Sequence, residues 1–189
     1  LSRVRPGMTE IEAAAECMYG VLKAGAETPG FMIWCVSGPH TDQAIGKSTY
    51  RVIQKNEMVQ FTMGAMAEGY VSSFGRPFSF GHPGDGAMTM WKTGLEANLL
   101  THRLVRAGAN AGEVARSVHG FIREKGLGDH IVYGPAHGIG MMECEFPFIE
   151  TTSDYLLEAG MTFAVDTFLA GPGYGMRYED TVIVTDEGE

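Results

Sequence analysis

The sequence predicts an α+β fold built of two related halves packed about a pseudo-two-fold axis, and an internal repeat carries this reading. Arg5-x-Gly7-x-x-x-x-Glu12-x-Ala14 recurs as Arg106-x-Gly108-x-x-x-x-Glu113-x-Ala115. Each copy leads into a helix that stops at a glycine, Gly25 or Gly126, before a strand and a Gly-Pro turn, Gly38-Pro39 or Gly134-Pro135. Further on, Thr62 lies eight residues before the tyrosine of Gly69-Tyr70, and Asp166 lies eight before that of Gly173-Tyr174. A site in such a molecule is expected between the halves, where strands of both supply side chains.

The elements follow in order. Thr9 and Glu12 have the spacing of a capping box, and Ala14, Ala15, Met18, Val21 and Leu22 recur at helical spacing up to Gly25. Residues 31–36 form an apolar run with the character of a buried strand, ended by Ser37-Gly-Pro39. Strands are expected at 58–63, 70–74 and 78–80, the last two around a Gly-rich hairpin. After a loop at 81–86, a helix is expected over 87–106, with Met88, Trp91, Leu95, Leu99 and Leu104 on or near one face. A second helix over 110–125 turns Val114, Val118, Phe121 and Ile122 inward. Strands near 131–133, 161–168 and 176–184 complete the chain.

The length of 189 residues fits one domain with a real core, and 44% hydrophobic with 20% charged residues is ordinary globular composition. A net charge of -9 without a Lys/Arg cluster argues against nucleic acid as a partner. No apolar run approaches the roughly 20 residues of a membrane span. Three scattered cysteines, Cys17, Cys35 and Cys144, give no paired metal spacing and suit a reducing, cytoplasmic compartment. The start at Leu1 raises the expectation that residues 1–189 are the C-terminal part of a longer chain.

Residues 133–147 hold the densest set of potential site groups. His137 sits between glycines, which let backbone approach whatever the ring faces; a locally satisfied turn histidine is the alternative. Glu143 and Glu145 share one side of a strand by alternation, so both could face the site or water. Asp166 lies inside the apolar run 163–168, where a carboxylate is costly unless paired or bound to metal. Glu179 follows Arg177, which allows either a site role or a surface ion pair. Arg76 and Arg177 are candidates to hold a substrate carboxylate. A His/Asp/Glu set on three segments suits one divalent ion such as Mn, Zn, Co or Fe, or an acid/base set with no metal.

Arg5-Pro-Gly-Met-Thr-Glu10, Gly69-Tyr70, Ala136-His-Gly-Ile-Gly140, Glu145-x-Pro147, Gly160-Met-Thr-Phe163 and Arg177-Tyr-Glu-Asp180 resemble, in order and spacing, the methionine aminopeptidase/prolidase/creatinase family. The resemblance runs over nearly the whole chain. It implies the pita-bread fold, two pseudo-symmetric α/β halves around a curved antiparallel sheet, a homodimer, and a small-molecule or short-peptide substrate. The peptidases it points to hold two divalent metals with five side chains. Carried over position by position, the histidine is His137, the next carboxylate falls on Asp166, and the last glutamate is Glu179. The two aspartates fall on Thr62 and Ser73. The substrate-side histidine falls on Ile45, with His40 nearby as a candidate replacement, and the histidine before Glu145 falls on Cys144.

The loss of two carboxylates removes the bridge between two ions, so no two-metal centre is expected. At most one weakly bound ion is expected, on His137, Asp166 and Glu179. The leading expectation is a creatinase/Xaa-Pro-peptidase-like hydrolase of a small C–N bonded substrate, with His137, Asp166, Glu179 and Glu145 in the catalytic set and Arg76, Arg177 and His40 binding substrate. A metallopeptidase of the Xaa-Pro dipeptidase/aminopeptidase type with a degenerate metal site is one alternative. A non-catalytic binding module on the same fold is the other.

Overall fold

The computed structural model describes residues 2–186; the expectation raised by Leu1 lies outside them. Helix α1 (Glu10–Lys23) opens on the anticipated capping box, in which Glu12 N donates to Thr9 Oγ1 (3.2 Å) and Thr9 N to Glu12 Oε2 (2.7 Å). Its buried residues are Glu10, Ala13, Ala14 and Cys17, while Met18 and Leu22, part of the apolar spacing read from the sequence, are exposed. Short side chains let the helix lie close to the strands beneath it.

The chain continues through β1 (Thr28–Pro29), β2 (Trp34–Ser37), a 3-10 turn (Gly38–Asp42), β3 (Met58–Met63), β4 (Ala65–Ala67), β5 (Tyr70–Val71) and β6 (Phe74–Ser79). The hairpin expected between residues 74 and 78 is instead a continuous strand, β6, which pairs with β3. The tight turn lies earlier, between β4 and β5, where Glu68 and Gly69 take positive φ. Helices α2 (Asp85–Leu104) and α3 (Ala111–Glu124) follow, then β7 (Ala136–Gly138), β8 (Glu145–Ile149), β9 (Thr162–Gly171) and β10 (Tyr174–Ile183). The expected strand at 131–133 is reduced to one bridge, Ile131 with Leu169. His137 lies in β7 rather than in a turn.

Seven strands form an antiparallel sheet in the order β2-β3-β6-β10-β9-β7-β8, and β1, β4 and β5 form a small second sheet. The repeat is visible in its centre. Thr62 pairs with Gly75 across β3 and β6, as Asp166 pairs with Glu179 across β9 and β10. Both members of one pair are displaced from the other by 104 residues (166 − 62 and 179 − 75). Gly75 in turn opposes Glu179, so the two halves meet between β6 and β10.

Helices α2 and α3 cover one face of the sheet. Val114, Val118 and Ile122 of α3 are buried as expected, and Phe121 is partly buried. The inward face of α2 differs from expectation: Leu95 and Leu99 are exposed, and Ala87, Met90, Gly94, Ala97 and Asn98 are buried. Asn98 Nδ2 donates to the carbonyls of Val165 (3.3 Å) and Tyr178 (3.2 Å), and Gly94 packs on Met176. Small and hydrogen-bonding residues face the sheet because its strands already supply the bulk there. No helix of the described residues is long and apolar enough to cross a membrane.

Candidate active site

One row of the sheet register builds the site. Trp34 pairs with Thr62, Thr62 with Gly75, Gly75 with Glu179, and Glu179 with Asp166. Directly opposed residues project from the same face, so five strands contribute to one line of side chains on the face away from α2 and α3. Arg177, two residues before Glu179, shares that face. Gly75 is what admits these larger groups. A Cβ there would lie 2.8 Å from Arg177 Cγ and Cδ and 2.9 Å from Glu179 Cβ.

His137 enters from β7. A register irregularity between His137 and Gly138 aims the ring, and Nδ1 lies 3.0 Å from Gly138 O. With Nδ1–H donating there, Nε2 is left facing Glu179 Oε1 at 3.7 Å and Glu143 Oε1 at 3.9 Å. Burial pulls this imidazole toward its neutral form. The carboxylates of Glu179 and Asp166 and the Gly138 carbonyl outweigh burial and lift its pKa to about 9.

Glu179 is completely buried and neither carboxylate oxygen makes a hydrogen bond. Burial alone would raise its pKa, but His137 and the Arg177 guanidinium together hold it below the usual range. Asp166, 4% exposed, receives a hydrogen bond at Oδ2 from Tyr133 Oη (2.6 Å) and faces Arg177 Nε at Oδ1 (3.1 Å). Burial raises its pKa, with Arg177 opposing and Glu179 adding. Burial likewise raises the Glu143 carboxyl, and the charge of Glu179 adds to this. The Arg177 guanidinium donates to Ala44 O (2.8 Å), Tyr133 Oη (2.6 Å) and Thr62 Oγ1 (3.3 Å). Burial works against its charge, and these acceptors with Asp166 keep it protonated.

These groups open onto a cavity of about 280 Å³ whose lining includes Trp34, Ile45, Glu143, Cys144 and Phe148 beside His137, Asp166 and Arg177. A larger depression of about 660 Å³ near Asn110 has only exposed charged groups, Arg106, Glu113 and Asp186, and no comparable cluster.

The fold brings His137, Asp166, Glu179 and Arg177 together and leaves three other candidates elsewhere. Glu145 accepts from Met142 N (3.1 Å) across the turn before β8, while Glu143 lines the cavity. Residues 141–144 precede the strand, so alternation does not govern Glu143 and Glu145. Arg76 is turned to Asp180, the Glu179 carbonyl (2.8 Å) and the Phe74 ring. His40 Nδ1 lies 3.2 Å from both oxygens of buried Glu10. Tyr133, Trp34 and Gly75 were missed by sequence reasoning. The repeat carried a signal for Gly75, since it stands at the position equivalent to Glu179.

Metal fit follows from the donors. Among the described residues, only His137, Asp166 and Glu179 form a His/Cys/Asp/Glu group whose ligand atoms all lie within 4.8 Å of one another. Thr62 Oγ1 accepts from Arg177, and a fixed guanidinium lies 3.1 Å from Asp166. A two-ion centre therefore does not fit. One ion fits the donor set, with the unbonded oxygens of Glu179 as its natural ligands.

The two-half antiparallel fold with a buried His/Asp/Glu cluster between its halves is the pita-bread arrangement. The chain belongs to metallopeptidase family M24, which it matches over residues 1–186. It is similar in structure to an Xaa-Pro dipeptidase from Bacillus anthracis (TM-score 0.95, 34% identity, 99% of this chain and 53% of that one). An X-Pro aminopeptidase from Thermotoga maritima is also similar (TM-score 0.94, 30% identity, 99% and 53%). In sequence it is 29% identical over 189 residues to an uncharacterized peptidase of Staphylococcus aureus, covering all of this chain and 54% of that protein. The chain thus spans about half the length of the relatives it matches.

Proposed function

We propose that the chain is a hydrolase of a small substrate with a C–N bond, working without a two-metal centre. The observation that supports this most is the pairing of a retained His137–Glu179–Asp166 cluster with Thr62 and Ser73 at the remaining ligand positions and Arg177 seated among them. His137 Nε2–H protonates the leaving nitrogen as the C–N bond breaks, and the ring takes a proton back from the water that adds to carbon. Glu179 holds the imidazolium in place, and Tyr133 and Arg177 hold Asp166. Short peptides or small molecules suit the volume of the cavity, and a homodimer is part of this reading.

The test is turnover of small amides, amidines and Xaa-Pro dipeptides in chelated buffer. His137→Ala is expected to abolish whatever turnover is found; unchanged turnover would overturn the reading. A second reading, a peptidase with one ion on His137, Asp166 and Glu179, is favoured by the two unbonded oxygens of Glu179. An ion bound at such a site would polarise the scissile carbonyl. Activity absent after chelation and restored by Mn, Co or Zn would select it.

A further inference from the structure

We propose that the cavity beside His137 selects its ligand through a small organic ammonium head, with Glu143 as the counter-ion. This rests on reading that cavity as the substrate site, and deepens it by naming the chemistry of the substrate.

The charges within reach of the cavity are unequally partnered. Arg177 is committed to Asp166, Tyr133, Ala44 and Thr62. His137 faces Glu179 at 3.7 Å. Neither cation is free for an anionic head group. Glu143 lines the cavity with its side chain 27% exposed, and receives no hydrogen bond from the described residues. Its nearest cation is His137 at 3.9 Å, already shared with Glu179. Glu150 adds a second, exposed carboxylate to the lining. Asp166 also lines the cavity, but its charge is already met by Arg177 Nε, 3.1 Å from Oδ1. A ligand carboxylate or phosphate would meet these groups with no free cation to offset them. A cation would relieve them.

The remaining wall favours a cation that carries carbon. Trp34, Phe148 and Ile45 line the same space. Aromatic rings beside carboxylates stabilise alkylated ammonium groups, which need charge and contact more than hydrogen bonds. A volume of about 280 Å³ admits a compact head and little more. The net charge of -9 draws cations toward the molecule.

The experiment uses the protein as it stands. Calorimetry would compare choline, ethanolammonium and 3,3-dimethylbutan-1-ol, the uncharged carbon isostere of choline. The ammonium compounds are expected to bind at least ~10-fold tighter than the alcohol, and Glu143→Gln to remove most of that difference. Which ammonium binds better tells whether the head is primary or methylated. Cys144 reports the location: it lines the cavity and is exposed, while Cys17 and Cys35 are buried. Choline should protect Cys144 from N-ethylmaleimide, and the alcohol should not. Equal binding of choline and the alcohol to the unmodified protein, a comparison that needs no variant, would overturn the proposal. So would choline binding that leaves Cys144 unprotected. Ammonium binding retained in His137→Ala separates this assignment from the hydrolase reading. Binding without turnover of any substrate would uphold the ammonium site and reject the hydrolase.

Discussion

His137 faces carboxylates from two strands, Glu179 of β10 and Asp166 of β9, and its ionisation should be visible in stability. The imidazole titrates near 6.5 in an unfolded chain and at about 9 when folded. The folded state therefore holds this proton more tightly. The resulting stability is fully present below about pH 6.5 and is lost as pH rises through about 9, amounting to roughly 3 kcal/mol. Denaturant unfolding followed from about pH 6 to about pH 9.5 should show that decline, and His137→Asn should flatten it. Glu179→Gln should lower the His137 pKa, read by NMR titration, because the first carboxylate facing Nε2 loses its charge. Gly75 acts on the same groups from the neighbouring strand. Gly75→Ala places a methyl against Arg177 and the Cβ of Glu179, and should cost about 1–3 kcal/mol in thermal unfolding together with most of the turnover.

Between elements, the 3-10 turn of residues 38–42 packed on β10 joins the halves near the site, beside the β6–β10 pairing. Gly175 N donates to Thr41 Oγ1 (2.9 Å), and a Cβ at Gly175 would collide with the Thr41 carbonyl oxygen. The turn leads to Ala44, whose carbonyl accepts from Arg177, and to Ile45 in the cavity wall. Gly175→Ala should therefore destabilise the fold by about 1–3 kcal/mol and raise hydrogen exchange of residues 41–45, with α3 unaffected. The capping box, both helix ends and the inward face of α3 were legible in sequence because local spacing decides them. The inward face of α2 was not. Its exposed leucines and buried Gly94 and Asn98 depend on what the sheet offers, and helical periodicity records only the helix.

For the whole molecule, the donor count predicts metal behaviour. With excess Mn, Co or Zn, the protein should take up no more than one ion per chain at this site, measured by elemental analysis after desalting. Two tightly held ions there would contradict the placement of Thr62 and Arg177. The sequence by itself determined the two-half architecture, since a repeat in register needs only one chain to be seen. It also offered His137, Asp166 and Glu179 as a possible set on three segments, which the family resemblance joined, and left their convergence open. The tertiary structure alone decided which neighbours join them. It turned Arg177 inward and Arg76 onto Asp180, chose Glu143 over Glu145, and set Tyr133 between Asp166 and Arg177. Those choices rest on strand register and on where a glycine leaves room, which are relations between distant segments that no local pattern encodes.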